Sequence, residues 1–242
     1  MTPHRRPSRS LLRVDLHTHT RYSLDAVPSP AELVQRARDE GLDRIAITDH
    51  GEIEGALEAQ ALDPAHVIVG EEIRCRCRTE LIGLFLTERI PMGLELEEVV
   101  ERIRDQDGVI YAPHPYAYAW RPLTRARRAI AVADILEGFN ARAFLPIWNS
   151  AAQRTSRERQ IPYGAGSDAH FGWEIGRAYT EMPYFNCASS FRKAAPDARP
   201  IGVRVTHAMA HVASAGLKAS RILVGRGAGV IGERRRRAPS TA

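Results

Sequence analysis

Short apolar runs alternate with stretches of helical period along most of this 242-residue chain. Val14-Asp15-Leu16, Arg44 to Thr48, His66 to Val69 and Val109 to Tyr111 read as strands. Glu80 to Leu86, Ala133 to Leu136 and Tyr163 to Gly166 continue the series. Between them, Pro30 to Glu40 opens after Ser29, a suitable N-cap. It sets Ala31, Leu33, Val34 and Ala37 on one helical face before Gly41 stops it. Ile53 to Ala61, Leu96 to Gln106 and Ile147 to Gln160 read as further helices. Alternation of this kind predicts an α/β fold built from βα units around a parallel sheet.

The polar residues that break this pattern fall at one kind of place. Asp15 to His19, Asp49-His50, Glu72, His114, Asn140 and Asp168 to His170 each follow a predicted strand. In parallel β/α architectures the carboxyl ends of the strands gather on one face, where active sites form. A barrel-like fold with one polar mouth accounts for all six clusters at once. Side chains at i and i+2 of an extended chain share a face, so His17 and His19 are placed to grip one ion.

Composition narrows the setting. Hydrophobic residues make up 44% and charged residues 26%, as in ordinary globular domains. No apolar run approaches a membrane span, and no secretory signal is evident, so a cytoplasmic protein is expected. Three cysteines do not make a disulfide framework. The net charge of +5 lies in the ends, through Arg5, Arg6 and Arg9 and six arginines after Ser220, while the body has no basic bias. Residues 1–10 and about 232–242 lack periodicity and read as disordered basic tails, able at most to hold polyanions non-specifically.

The candidate metal ligands are His17, His19, Asp25, His50, Glu72, His114, Asp168 and His170. Mixed imidazole and carboxylate donors suit Mn, Zn or Fe better than Mg or Ca. So many donors exceed the needs of one ion, so two or three divalent ions sharing carboxylates are expected. That arrangement suits phosphate-ester hydrolysis, in which a metal-bound hydroxide attacks phosphorus.

Read together, these motifs closely resemble the PHP (polymerase and histidinol phosphatase) family. The resemblance covers Asp15-Leu16-His17-Thr18-His19-Thr20 with Tyr22-Ser23 and Asp25, then Ile47-Thr48-Asp49-His50 and Gly70-Glu71-Glu72. Ala112-Pro113-His114-Pro115 and Gly166-Ser167-Asp168-Ala169-His170 complete it, in family order across about residues 11–185. It implies a distorted (β/α)7 barrel with a two- or three-metal centre and phosphoesterase activity. His17, His19, Asp25, His50, Glu72, His114, Asp168 and His170 fall at the ligand positions, with Asp49 supporting His50 and Glu72 rather than Glu71 bridging. Where small relatives often carry a histidine after the glutamate, this chain has Glu80, either an oxygen ligand or a solvent-facing residue.

Asp168 and His170 are also the expected catalytic pair, His170 either ligating a metal or protonating the leaving group. Arg142 and Arg177 are candidate phosphate clamps, weighed against ordinary surface arginines. Cys75 and Cys77 alternate with arginines and read as the buried side of a strand. Tyr116, Tyr118 and Trp120 would line a ring-binding slot or pack in the core. His4, His207 and His211 carry no assignment. The chain divides into a tail at 1–10, a catalytic domain at 11–205 and a helical segment with an Arg-rich tail at 206–242.

The expected substrate is a small phosphorylated molecule: a nucleotide, a nucleoside bisphosphate or a short oligonucleotide end. The alternatives are histidinol phosphate or a catalytically inactive metal-binding module of the same family. An amidohydrolase needing a mid-barrel carboxylated lysine is disfavoured, because Lys193 and Lys218 are the only lysines.

Overall fold

The computed structural model describes residues 11–117, 123–206 and 208–236, with side chains to Val224. The strand-helix alternation is realised as β1 (Leu12–Thr18), α1 (Pro30–Asp39), β2 (Arg44–Ile47), α2 (Glu54–Leu62) and β3 (Val67–Arg74). There follow β4 (Glu80–Leu84), α3 (Leu96–Asp105), β5 (Val109–Ala112), α4 (Leu123–Val132), β6 (Ile135–Asn140), α5 (Pro146–Arg159) and β7 (Tyr163–Gly166). The chain ends with β8 (Ala178–Met182), α6 (Ala188–Ala194), β9 (Arg199–Gly202) and α7 (Ala208–Arg236).

Local signals fix several boundaries. Ser29 Oγ accepts from Glu32 N while Ser29 N donates to Glu32 Oε2 at 2.8 Å, a reciprocal cap that starts α1. Gly41 follows at φ 72°, a conformation a Cβ would oppose, and turns the chain into β2. Leu33, Val34 and Ala37 are the buried stripe, as their spacing predicts.

The strands form one sheet in the order β7-β6-β5-β4-β3-β2-β1-β8-β9. Beyond the ends of the outermost barrel strands, β7 returns to β1. Thr18 and Ala169 form a parallel bridge, and Asp168 N donates to His17 O at 2.7 Å. The sheet thus nearly closes into a barrel, as expected, but seven regular β/α units are not what closes it. Strand β4 runs antiparallel to both neighbours, and no helix separates it from β3. The connection is a short hairpin in which Arg78 takes φ 63° and Cys75 N donates to Thr79 O at 2.9 Å. The alternation of Cys75 and Cys77 with arginines therefore marks this turn, and the strand ends at Arg74; Cys75 is buried and Cys77 half-buried.

Two apolar clusters hold the fold. One ties Leu33, Val34, Ala56, Val99, Ile103, Ala126 and Ile130 of α1 to α4 to Ile45, Ile47, Val69 and Ile110 of the sheet. The other joins Val14, Leu16, Ile68, Ile82, Tyr111 and Ile135 to Phe185, Ala188 and Phe191 at α6. Five elements depart from the sequence reading: α4, β8, α6 and β9 were not expected, and α7 continues to Arg236 through the start of the segment read as a disordered tail. Residues 1–10, 118–122, 207 and 237–242, and with them the readings on His4, Tyr118, Trp120 and His207, lie outside the described residues. Among the described residues, no helix is long and apolar enough to cross a membrane.

Candidate metal centre

The strand ends bring the predicted donors together. His17 and His19, from the end of β1, have Nε2 atoms 3.0 Å apart and are fully buried. Glu72 on β3 spans the group: its Oε2 lies 3.3 Å from His17 Nε2 and 3.0 Å from His50 Nδ1, and its Oε1 lies 3.5 Å from His114 Nε2. Asp168 Oδ1, beyond β7, is 3.3 Å from His19 Nε2 and 3.6 Å from His17 Nε2. On the outer side, Asp25 Oδ1 faces His50 Nε2 at 3.6 Å and His170 Nε2 at 3.7 Å.

Asp25 apart, these residues fall into three sets of converging donor atoms. They are His17, His19 and Asp168; His17, Glu72 and His114; and His19, His50 and His170.

Neighbours fix the histidine tautomers. His17 Nδ1 meets Glu137 Oε1 at 3.1 Å, an acceptor, so that nitrogen carries the proton and Nε2 presents its lone pair. His170 Nδ1 donates to the Asp168 carbonyl at 2.8 Å with the same result. Ser23 Oγ spends its proton on Asp49 Oδ1 at 2.7 Å, so His19 Nδ1 donates to it at 3.2 Å. When these imidazoles are neutral, their three Nε2 lone pairs point at one another and at carboxylates, although against burial Asp168 and Glu137 raise the proton affinity of His17 well above the ordinary imidazole range. Asp25 Oδ1 is buried and finds no hydrogen-bond donor among the described residues. Lone pairs facing lone pairs in a buried cluster are a cation-binding arrangement, and the residues fit divalent ions.

Proton affinities follow the same geometry. Burial raises the carboxyl of Asp168, but His17, His19 and His170 outweigh it and hold the group well below the usual carboxylate range. Glu72 is pulled down likewise against burial, chiefly by His50. His50 resists burial through Glu72 and Asp25 and is raised to about 9. Burial and the charges of His19 and Arg142 push His170 well below the ordinary imidazole range. Without metal the carboxylates are thus compensated by protons on some imidazoles, and metal loading must release those protons.

Backbone strain accompanies the site. Asp168 sits at φ 53° and His114 at φ 26°, in the region L-residues seldom occupy. Gly166 permits the approach of β7 to β1, since a Cβ there would lie 2.4 Å from His17 Cβ and 2.7 Å from Glu137 Oε1.

The remaining candidates divide. Glu80 lines the cavity beside the donors, in register with Arg74 on β3, and belongs to none of the three donor sets. Arg142 is buried, and its Nη1 donates to both Glu174 oxygens at 3.0 and 3.2 Å while Nη2 reaches Ala210 O and Ser214 Oγ. Glu174 Oε2 in turn accepts from His170 N at 2.9 Å, so Arg142 braces the His170 loop against α7. Arg177 lies over the Trp173 ring at 4.5 Å, donates to Trp173 O and Val205 O, and is not among the cavity-lining residues. Tyr116 bonds Thr155 Oγ1 at 2.7 Å and packs in the core. Asp49 holds Thr20 N and Ser23 Oγ, each at 2.7 Å, and so positions the loop beneath His19 and His50.

Three contributors escaped the sequence reading. Glu137 is wholly buried: its Oε1 meets His17, and its Oε2 accepts from His114 N at 2.6 Å and Asn140 Nδ2 at 2.9 Å. An acid inside the apolar run Ile135-Leu136-Glu137 was the available signal. Glu174 and Lys218 left none of comparable clarity.

Glu71 faces away from the centre, and its Oε2 accepts from Ile90 N at 2.8 Å. Burial raises its carboxyl to about 7. Its contribution is full while protonated in both states, below about pH 4.5, and is lost as pH rises through 7. Glu71→Gln removes that loss, so its stability relative to the parent should rise by up to about 3 kcal/mol between acid and about pH 8. Urea unfolding of both proteins across that range reads the difference.

Fold and site together define a barrel whose strand-end face carries three overlapping sets of histidine and carboxylate donors that could hold metal ions. The PHP domain model matches residues 15–116 and the PHP-associated model residues 146–194. An uncharacterized protein of Methanocaldococcus jannaschii is 33% identical over 181 residues, 72% of each chain. The chain belongs to the PHP family.

Among solved structures, a two-domain protein of Bacteroides vulgatus containing a predicted PHP-like metal-dependent phosphoesterase superposes with TM-score 0.64 at 18% identity. It is matched over 79% of this chain and 65% of that one. The lesion-specific endonuclease EndoQ of Pyrococcus furiosus gives 0.57 at 18% identity, over 78% of this chain and 57% of its own. An endonuclease Q complex, with a 27-mer duplex substrate carrying an abasic lesion at its active site, gives 0.59 at 18%, over 76% and 56%. This chain therefore spans about two thirds or less of those structures, and the likeness is one of fold.

Proposed function

We propose that this protein is a metal-dependent phosphoesterase that hydrolyses a phosphate ester of a nucleotide, a nucleoside bisphosphate or an oligonucleotide end. The observation that carries the reading is the position of the donor sets at the floor of a cavity of about 660 Å³. That volume is within the range of small-molecule sites and suits one nucleotide unit. Divalent ions at this floor would activate water and neutralise charge on the phosphate.

The chain's own residues set the geometry. Asp168 stays ionised and acts as a fixed charge rather than a base, because three imidazoles surround it. His170 is held neutral and offers Nε2 as a lone pair, which favours ligation over proton donation. Glu72 turns both oxygens into the donor cluster, Oε2 toward His17 and His50 and Oε1 toward His114, and would hold an ion together with His17 and His114. Tyr22, Leu24 and Met92 line the cavity and offer apolar contact for a ring. The likeness to endonuclease Q, whose complex holds a 27-mer duplex, supports a nucleic-acid substrate within the same reading.

Purified protein freed of metal with a chelator and reloaded with Mn²⁺, Zn²⁺ or Fe²⁺ should cleave phosphate from nucleotides or from 5′- or 3′-phosphorylated oligonucleotides. Chelated protein should not. Faster turnover of histidinol phosphate than of any nucleotide would overturn the substrate reading, and no hydrolysis with any metal would overturn the activity. With a chiral thiophosphate in ¹⁸O-water, inversion at phosphorus is expected, because no cavity-lining residue among the described residues is set up as a covalent nucleophile.

A further inference from the structure

Helix α7 closes one side of the cavity. His211, Ser214, Ala215 and Lys218 all line it, at the i, i+3, i+4 and i+7 spacing of a single helical stripe. The helix is fastened along this stripe. Arg142 Nη2 donates to Ala210 O and Ser214 Oγ, His211 Nε2 bonds Arg142 O at 2.9 Å, and Arg221 Nη1 donates to Ser23 O and Ala26 O at 3.0 and 2.9 Å. Lys218 is held between these anchors at a fixed distance from the donor floor.

Its ammonium lies 2.7 Å from Asp25 Oδ2, on the far side of the carboxylate from Oδ1, which faces His50 and His170. The Lys218 side chain is 46% exposed, against 11% for Asp25. The Asp25 bond uses one of three N–H donors, and the other two are free to meet a ligand in the cavity. Arg142 and Arg74 also line the cavity; the guanidinium of Arg142 is committed to Glu174 and α7, and Arg74 lies at the exposed end of β3.

We propose that Lys218 is the phosphate-binding residue of this site, donating from α7 to a non-bridging oxygen of the substrate phosphate and of the inorganic phosphate product. This rests on the phosphoester reading and assigns α7 as the substrate-recognising wall. An ammonium serves as a point charge toward a tetrahedral anion. Lys218 keeps its bond to Asp25 while it does so, because the two contacts use different N–H groups.

Lys218 and Lys193 are the only lysines, and Lys193 sits exposed on α6, so chemical modification separates them. The full-length, Mn²⁺-loaded protein is treated with an amine-acetylating reagent, with and without saturating inorganic phosphate, and both lysines are followed by peptide mass spectrometry. Phosphate should slow acetylation of Lys218 by about 10-fold or more and leave Lys193 unchanged. In parallel, Lys218→Met should weaken calorimetric binding of inorganic phosphate about 10-fold or more at unchanged metal content, and Lys218→Arg should restore most of it.

Equal acetylation of Lys218 with and without phosphate would overturn the proposal. So would a Lys218→Met protein that loses bound metal but keeps its phosphate affinity, since Lys218 would then only hold Asp25. Neither readout uses turnover, so a protein that binds phosphate through Lys218 yet hydrolyses no ester refutes the activity alone.

Discussion

Asp168→Asn is expected to lower turnover by about 10³-fold or more while the barrel still folds. The carboxylate contributes Oδ1 to the set shared with His17 and His19. The amide keeps shape and volume but removes the charge that faces both imidazoles and any cation they hold. Loss of about 4 kcal/mol of transition-state stabilisation corresponds to that factor. Asn is also among the residues best suited to the positive φ at this position, so the backbone is not the cause. Steady-state kinetics with metal content measured in the same samples separates lost binding from lost chemistry. Turnover within 10-fold of the parent at equal metal content would remove Asp168 from the centre.

Glu137→Gln carries the second-largest expected effect, about 10–100-fold in metal affinity or activity, although Glu137 belongs to none of the three donor sets. Its Oε1 holds His17 in the tautomer that exposes Nε2, while Oε2 receives His114 N and Asn140 Nδ2. Asn140 Nδ2 also reaches Asp168 Oδ2 at 3.2 Å, so one carboxylate organises residues from β1, β5, β6 and the loop after β7. A glutamine can accept on one side only; its NH₂ must face either a donor or the His17 Nδ1 proton. Competition with a metal indicator dye reads the affinity directly, and an unchanged dissociation constant would refute the role.

The donor set was legible because its residues lie beside strands whose apolar pattern is plain and because donors at i and i+2 share a face. Asp25 followed only from the likeness of whole motifs, since neither spacing nor period places it beside the other donors. Arginine was the blind spot. In a chain with so many arginines, Arg142 and Arg177 cannot be told apart by type, yet one braces the His170 loop from within and the other lies against Trp173. The same abundance masked α4, whose Leu123–Val132 segment buries only Ala126, Ala129 and Ile130 between exposed basic residues. Alternating cysteine and arginine imitated a strand where Arg78 turns the chain back. Long-range partners such as Lys218 on Asp25 carry no local pattern at all.

The closure of the barrel between β7 and β1 also bears on how the protein is made. Ser167 Oγ reaches His17 O across 150 positions of sequence, and Asp168 and His170 follow directly. Contacts this distant form late, because loop closure must be completed before they repay it. During synthesis, His17, His19, Asp25, His50, Glu72 and His114 leave the ribosome before Asp168 exists, so an incomplete chain carries all the donors of one set, His17 with Glu72 and His114, and lacks residues that complete the other two. Completion of the other two sets is therefore coupled to completion of the fold, and a chain arrested before residue 168 should hold divalent ions more weakly than the complete chain.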